Sequence, residues 1–68
     1  MPFYFEVARV ITDSGKALLV EIDDENVPDT EIWIAKSQIA DDSEVTEEGD
    51  EGTMAIQTWV AMDNGWVE

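Results

Sequence analysis

The 68-residue sequence predicts a mainly β fold, a small curved antiparallel sheet or partly open barrel of four to five strands with one short C-terminal helical turn. Three observations carry that expectation. Apolar and β-branched residues alternate with a period of two through the first half of the chain. A compact turn sequence, Asp13-Ser14-Gly15-Lys16, separates the first two alternating runs. The period changes only near the end, from Thr58 onward.

The first strand runs from Phe3 to Thr12, with Phe3, Phe5, Val7 and Ile11 on one face and Tyr4, Glu6, Ala8 and Val10 on the other. Ala17 to Asp23 forms the second strand, and the two make an antiparallel hairpin around Gly15, which can take a positive φ. Asp24 to Asp29 is a loop punctuated by Asn26 and Pro28. A third strand spans Thr30 to Ala35, with Ile32 and Ile34 on one face and Glu31 and Trp33 on the other. Lys36 to Ile39 turns out of it, and Asp41 to Gly52 reads as an acidic loop. Thr53 to Gln57 is a fourth strand with Met54 and Ile56 inward. Thr58 is expected to cap one or two helical turns over Trp59 to Asp63, and Asn64-Gly65 to stop them. The chain is read as one domain, residues 1–68, of a size that suits an SH3-like or OB-like barrel.

Composition excludes several chemistries. Seventeen acids against three bases give a formal net charge of −14. There is no cysteine, hence no disulfide framework and no thiol chemistry, and no histidine, hence no imidazole base. Three cations cannot track a phosphate backbone, nor draw the chain to anionic lipid. A hydrophobic fraction of 44% with three tryptophans separates the chain from the disordered class. The start lacks a basic region followed by a long apolar run, so no signal peptide is read there. A cytoplasmic location is the expectation.

Motifs for catalysis and cofactors fail on spacing. Ser14-Gly15-Lys16 has Val10 and Ala17 where a phosphate loop needs glycine and Ser or Thr. Asp41-Asp42-Ser43-Glu44-Val45 puts Val45 at an oxygen-ligand position of a calcium loop, and Asp23 to Val27 fails likewise. No carboxylate pair is singled out for acid–base work, and a chain this short can hardly build a deep cleft. The expectation is therefore no enzyme, no cofactor and no metal. Trp33, Trp59 and Trp66 are expected in the core by the burial bias of large aromatics. Exposed beside acids, Trp33 would instead anchor a protein interface.

Three pieces of the chain resemble a known pattern: Lys16-Ala17-Leu18-Leu19-Val20, Trp33-Ile34-Ala35-Lys36-Ser37-Gln38, and Thr58-Trp59-Val60-Ala61 through Gly65. Their order is similar to that of a family of short β modules common in phage and mobile-element genomes. In that family a Lys-Ala-hydrophobic strand, an acidic stretch, Trp-Ile-Pro-Lys-Ser-Gln, an acidic loop and a closing Trp segment follow one another. Ala35 stands where the pattern has proline, and Thr58 precedes Trp59 where Pro-Glu is usual. The resemblance implies a small non-catalytic β module in a phage or prokaryotic setting.

Thirteen of the acids fall in two stretches. Glu21, Asp23, Asp24, Glu25, Asp29 and Glu31 border the second and third strands, and Asp41, Asp42, Glu44, Glu47, Glu48, Asp50 and Glu51 fill the long loop. Duplex DNA carries one negative charge per ~1.7 Å of axis, and same-face strand residues recur every ~6.6 Å, so two adjoining acidic segments approach that density. These acids, with Trp33, are the candidate partner-binding residues of a monomeric DNA mimic. The partner is a basic nucleic-acid-binding protein or complex, a CRISPR effector or another host defence protein, and no nucleic acid or membrane is bound directly. Two other readings stand beside it. One is an accessory module of a phage replication or recombination apparatus docking through Trp33 and Lys36. The other is a weak single-strand binder using the aromatics.

Overall fold

A computed structural model describes residues 1–67. The fold is mainly β: a four-stranded antiparallel sheet, not closed, in the order β3-β2-β1-β4, with one short C-terminal helix and a 3-10 turn. The strands are β1 (Phe3–Asp13), β2 (Ala17–Ile22), β3 (Glu31–Ala35) and β4 (Gly52–Ile56). The 3-10 turn is Lys36–Gln38 and the helix, α1, is Thr58–Asp63. The accessible surface, 4263 Å², is what a compact folded monomer of 7.6 kDa should expose, about 4300 Å². The core is therefore covered by the chain itself.

β1 organises the sheet because its two halves serve different neighbours. Phe3 to Val7 pair with Ile56 to Gly52, and Val7 to Asp13 pair with Ile22 to Leu18. The β2 ladder shifts register twice, between Val7 and Arg9 and between Val10 and Thr12. Each extra residue bends the strand and reverses the inward face. Strict alternation placed Val10 outward and Ile11 with the core residues. The first bulge corrects this: Val10 is buried beside Phe5 and Val7, and Ile11 is only half-buried. Gly15 makes the hairpin turn at φ 97°, where a Cβ would be strained, and the Asp13 carboxylate accepts its N–H at 2.7 Å.

Leu18, Val20, Ile34, Met54 and Ile56 fill the core as their alternation dictates. Two residues reach it from the polar loops. Val27 between β2 and β3, and Val45 in the acidic loop, are both buried. Neither stands in an apolar run, yet each pins its loop to the sheet.

The C-terminal segment closes one end. Trp66 is 8% exposed and packs edge-on against Phe5, with ring centroids 5.2 Å apart. It is held there by a helix stop in which the Trp66 N–H donates to the Ala61 carbonyl and Gly65 N–H to that of Met62, with Gly65 at φ 78°. Asn64-Gly65 thus ends the helix as expected. The start differs: Gln57 occupies the cap position without a side-chain bond, and the Thr58 hydroxyl donates instead to the Met1 carbonyl, so Thr58 ties the two termini rather than capping. Trp59 and Trp33, expected in the core, lie on the surface at 56% and 51% exposure. On α1, Val60 and Ala61 form the inward face, which leaves Trp59 and Met62 outside. On β3, Trp33 alternates with the inward Ile32 and Ile34.

Candidate functional site

The acidic loop begins as a strap along β4. Gln57 N–H donates to the Gln38 carbonyl (2.9 Å), Ala40 N–H to that of Ala55 (2.8 Å), and Glu44 N–H to that of Thr53 (3.1 Å), with an isolated bridge between Ile39 and Ile56. The Ser43 hydroxyl accepts the Ala55 N–H at 3.1 Å and donates to the Val45 carbonyl at 2.8 Å. Further on, Val10 exchanges two bonds with the loop, donating to the Asp50 carbonyl (2.9 Å) and accepting the Gly49 N–H (3.1 Å). The loop read from sequence as an acidic surface therefore also satisfies the outer groups of β4 and of the β1 bulge.

Several nominated carboxylates do that holding. Asp42 accepts the Tyr4 hydroxyl, Glu44 accepts the Thr53 N–H (3.3 Å), and Glu48 the Asp13 N–H (3.2 Å). Asp50 accepts the N–H groups of Thr46 (3.0 Å) and Glu47 (3.1 Å), closing the tip of the loop. In the other stretch Asp24 accepts the N–H of Asn26 (2.9 Å) and of Glu6 (3.1 Å), and Asp29 accepts the Trp66 indole N–H at 2.8 Å. Glu21 is ion-paired with Arg9 at 3.5 Å. Asp23, Glu25, Glu31, Asp41, Glu47 and Glu51 are exposed, with no side-chain hydrogen bond or ion pair among the described residues.

Among the described residues three side chains titrate away from their ordinary values for reasons visible in these contacts. The N–H groups of Asn26 and then Glu6 hold the Asp24 carboxyl below the usual 3.8. The Lys36 ammonium, 2.8 Å from Asp13, and then the Gly15 N–H lower the Asp13 carboxyl likewise. Tyr4 is raised above 10.0 because its hydroxyl donates to Asp42.

The two acidic stretches meet in space through a residue outside both. Glu6, on the outward face of β1, donates its N–H to Asp24, and its carboxylate accepts the Thr53 hydroxyl at 2.7 Å. Thr53 in turn donates its N–H to Glu44. Glu6, Asp23, Asp24, Glu25 and Asn26 line one open depression beside this junction. Sequence reasoning left Glu6 out because it stands alone in its strand, although its position opposite Phe5 already marked it as outward. Lys16 and Lys36 sit at the other end of β2 and β3, joined by a backbone bond of 2.9 Å. The lysines share that end with Asp13 and Glu48, while the Glu6 junction at the far end is acidic alone.

Among the described residues no cluster of three or more acidic side chains is arranged to hold a metal ion. No described helix is long and apolar enough to cross a membrane. The chain matches no family model, no curated protein and no solved structure.

Proposed function

We propose that this protein is an acidic, non-catalytic DNA mimic that occupies the nucleic-acid-binding groove of a basic host defence complex in a prokaryotic cytoplasm, a CRISPR effector above all. The observation that carries this reading is the junction at Glu6, where Asp24, Glu6 and Glu44 are linked through Thr53, so that the two acidic stretches form one anionic surface. Acids exposed and without a side-chain partner among the described residues continue from it: Asp23 and Glu25 beside Asp24, Glu51 next to Gly52, and Glu47 further along the loop. A surface of one sign steers association with a cationic groove and makes the on-rate salt-sensitive. A groove lined by Lys and Arg to receive phosphates offers the complementary pattern.

The test is displacement of a fluorescent target duplex from a guide-loaded CRISPR effector. The protein is expected to displace the duplex at low salt and to lose potency as salt rises. Neutralising Asp23→Asn, Glu25→Gln, Glu47→Gln and Glu51→Gln together should weaken displacement while leaving the melting curve intact, because none of these side chains holds the fold. Failure to displace duplex at low salt from this effector and from a panel of other basic defence complexes would overturn the reading.

The reading as an accessory docking module gains from one observation, the half-exposed Trp33 on an edge strand. Lys36, the other residue of that reading, is engaged by Asp13.

A further inference from the structure

We infer that the outer edge of β3 receives an extended segment of a basic protein by strand addition, reading a Lys or Arg opposite Glu31 and an apolar residue opposite Trp33, two positions away. The partner's being basic rests on the reading above. The edge itself rests on hydrogen-bond geometry.

In an antiparallel ladder, opposed residues alternate between pairs that exchange hydrogen bonds and pairs that do not. Ile22 N–H donates to the Thr30 carbonyl and Lys36 N–H to that of Lys16, which sets the phase at both ends of the β2–β3 pair. The register between them is unbroken. Thr30, Ile32, Ile34 and Lys36 therefore bond to β2. Glu31, Trp33 and Ala35 turn their N–H groups away from it, as Glu31 and Trp33 do their C=O groups, and no other described group bonds these; the Ala35 C=O opens the 3-10 turn instead. Proteins usually blunt such an edge with proline, a bulge or a covering loop, and β3 has none of these.

The occupant's chemistry follows from the rows that cross the sheet. Arg9 is opposite Glu21, and Glu21 is opposite Glu31. Arg9 pairs with Glu21, so the row ends at the free edge on an acid facing another acid, an unfavourable juxtaposition. A cation in the next strand would complete it. The neighbouring row runs Thr12, Leu19, Trp33, and ends on an aromatic ring that is half exposed. An apolar side chain beside that ring extends the row. Because strand side chains on one face recur every second residue, the two recognised side chains lie two apart. A second copy of this chain is the poorer occupant, since it brings a further charge of −14.

The probe is a seven-residue, threonine-rich peptide whose central valine has a lysine two positions away on each side, which suits either strand direction. Residue-resolved hydrogen exchange on the full-length protein is expected to slow by at least about tenfold at the Glu31, Trp33 and Ala35 amides when peptide saturates. Exchange at Ile32 and Ile34 should stay as it was. Replacing both lysines by glutamate should weaken binding about tenfold. Ala35→Pro should abolish peptide binding while leaving duplex displacement unchanged. Unaltered exchange at the three amides under saturating peptide would overturn the inference, as would equal binding of the lysine and glutamate peptides. Protection that grows with protein concentration in the absence of peptide would assign the edge to a second copy and also overturn it. Edge protection without duplex displacement would keep strand addition and reject DNA mimicry, and the converse result would do the opposite.

Discussion

The two edges of the sheet are treated in opposite ways. Beyond β4, the chain from Gln38 to Glu44 runs back along the strand and bonds Thr53, Ala55 and Gln57, with Ser43 filling the remaining position. Beyond β3 no described residue pairs with the strand, although β3 carries an exposed tryptophan. The difference teaches that the acidic loop has two jobs. Asp42, Glu44, Glu48 and Asp50 fasten it to the sheet or to itself, whereas Asp41, Glu47 and Glu51 leave their charge to solvent. High acidity here is partly a way to cover a sheet edge with a segment that remains strongly hydrated.

The largest effect should come from unpinning the strap. Val45→Asp would bury an unpaired carboxylate where Val45 now has no exposure, and should cost about 4 kcal/mol or more. In a domain this small that abolishes the cooperative thermal transition seen by circular dichroism. Next, the same residue change at each edge separates them. Ala55→Pro removes an N–H that Ser43 accepts, on a strand paired on both sides, and should cost about 3 kcal/mol. Ala35→Pro removes an N–H with no acceptor at a backbone of φ −63°, ψ 134°, already the proline geometry, and should change stability by no more than about 0.5 kcal/mol. Urea titration of the two variants side by side measures the contrast. Between these values, Ser43→Ala should cost about 1–2 kcal/mol, because the hydroxyl serves the Ala55 N–H and the Val45 carbonyl together.

Much of the fold was legible from residue order. The hairpin around Gly15, the inward Met54 and Ile56, and the Asn64-Gly65 stop each depend on local chemistry that a short window contains. Val27 and Val45 were not legible, since one valine in a polar run has no period to reveal it. The inward turn of Val10 depends on a bulge, which alternation has no means of representing. The thirteen acids and Trp33 were visible as candidates. The junction at Glu6 follows from pairings across 9 to 47 residues of chain, which a local window does not contain. Trp59 was misplaced because bulk alone decided its expected burial, whereas α1 is short and turns only Val60 and Ala61 inward.

Titration gives the smallest effect, with Asp13 and Asp24 on the acid side and Tyr4 on the alkaline side. Asp13 and Asp24 have lowered pKa values, so their contribution is complete above the unfolded value near 3.8 and is lost as pH falls through the folded values. Tyr4 is raised, so its contribution is complete below 10.0 and is lost as pH rises through its folded value. Asp24→Asn should therefore flatten the loss of stability below pH 3.8, while Tyr4→Phe should leave that limb unchanged and alter only the alkaline one. Thermal melts at stepped pH resolve the two.

The contrast between the edges is tested most directly by residue-resolved amide hydrogen exchange on the free protein. Ala40, Glu44, Thr53, Ala55 and Gln57 should exchange slowly, and Glu31, Trp33 and Ala35 should exchange at close to the rate of unstructured chain. Fast exchange along β4 with protection at Glu31, Trp33 and Ala35 would contradict the account, because the acidic loop would then not be a strap and β3 would not be open to a partner.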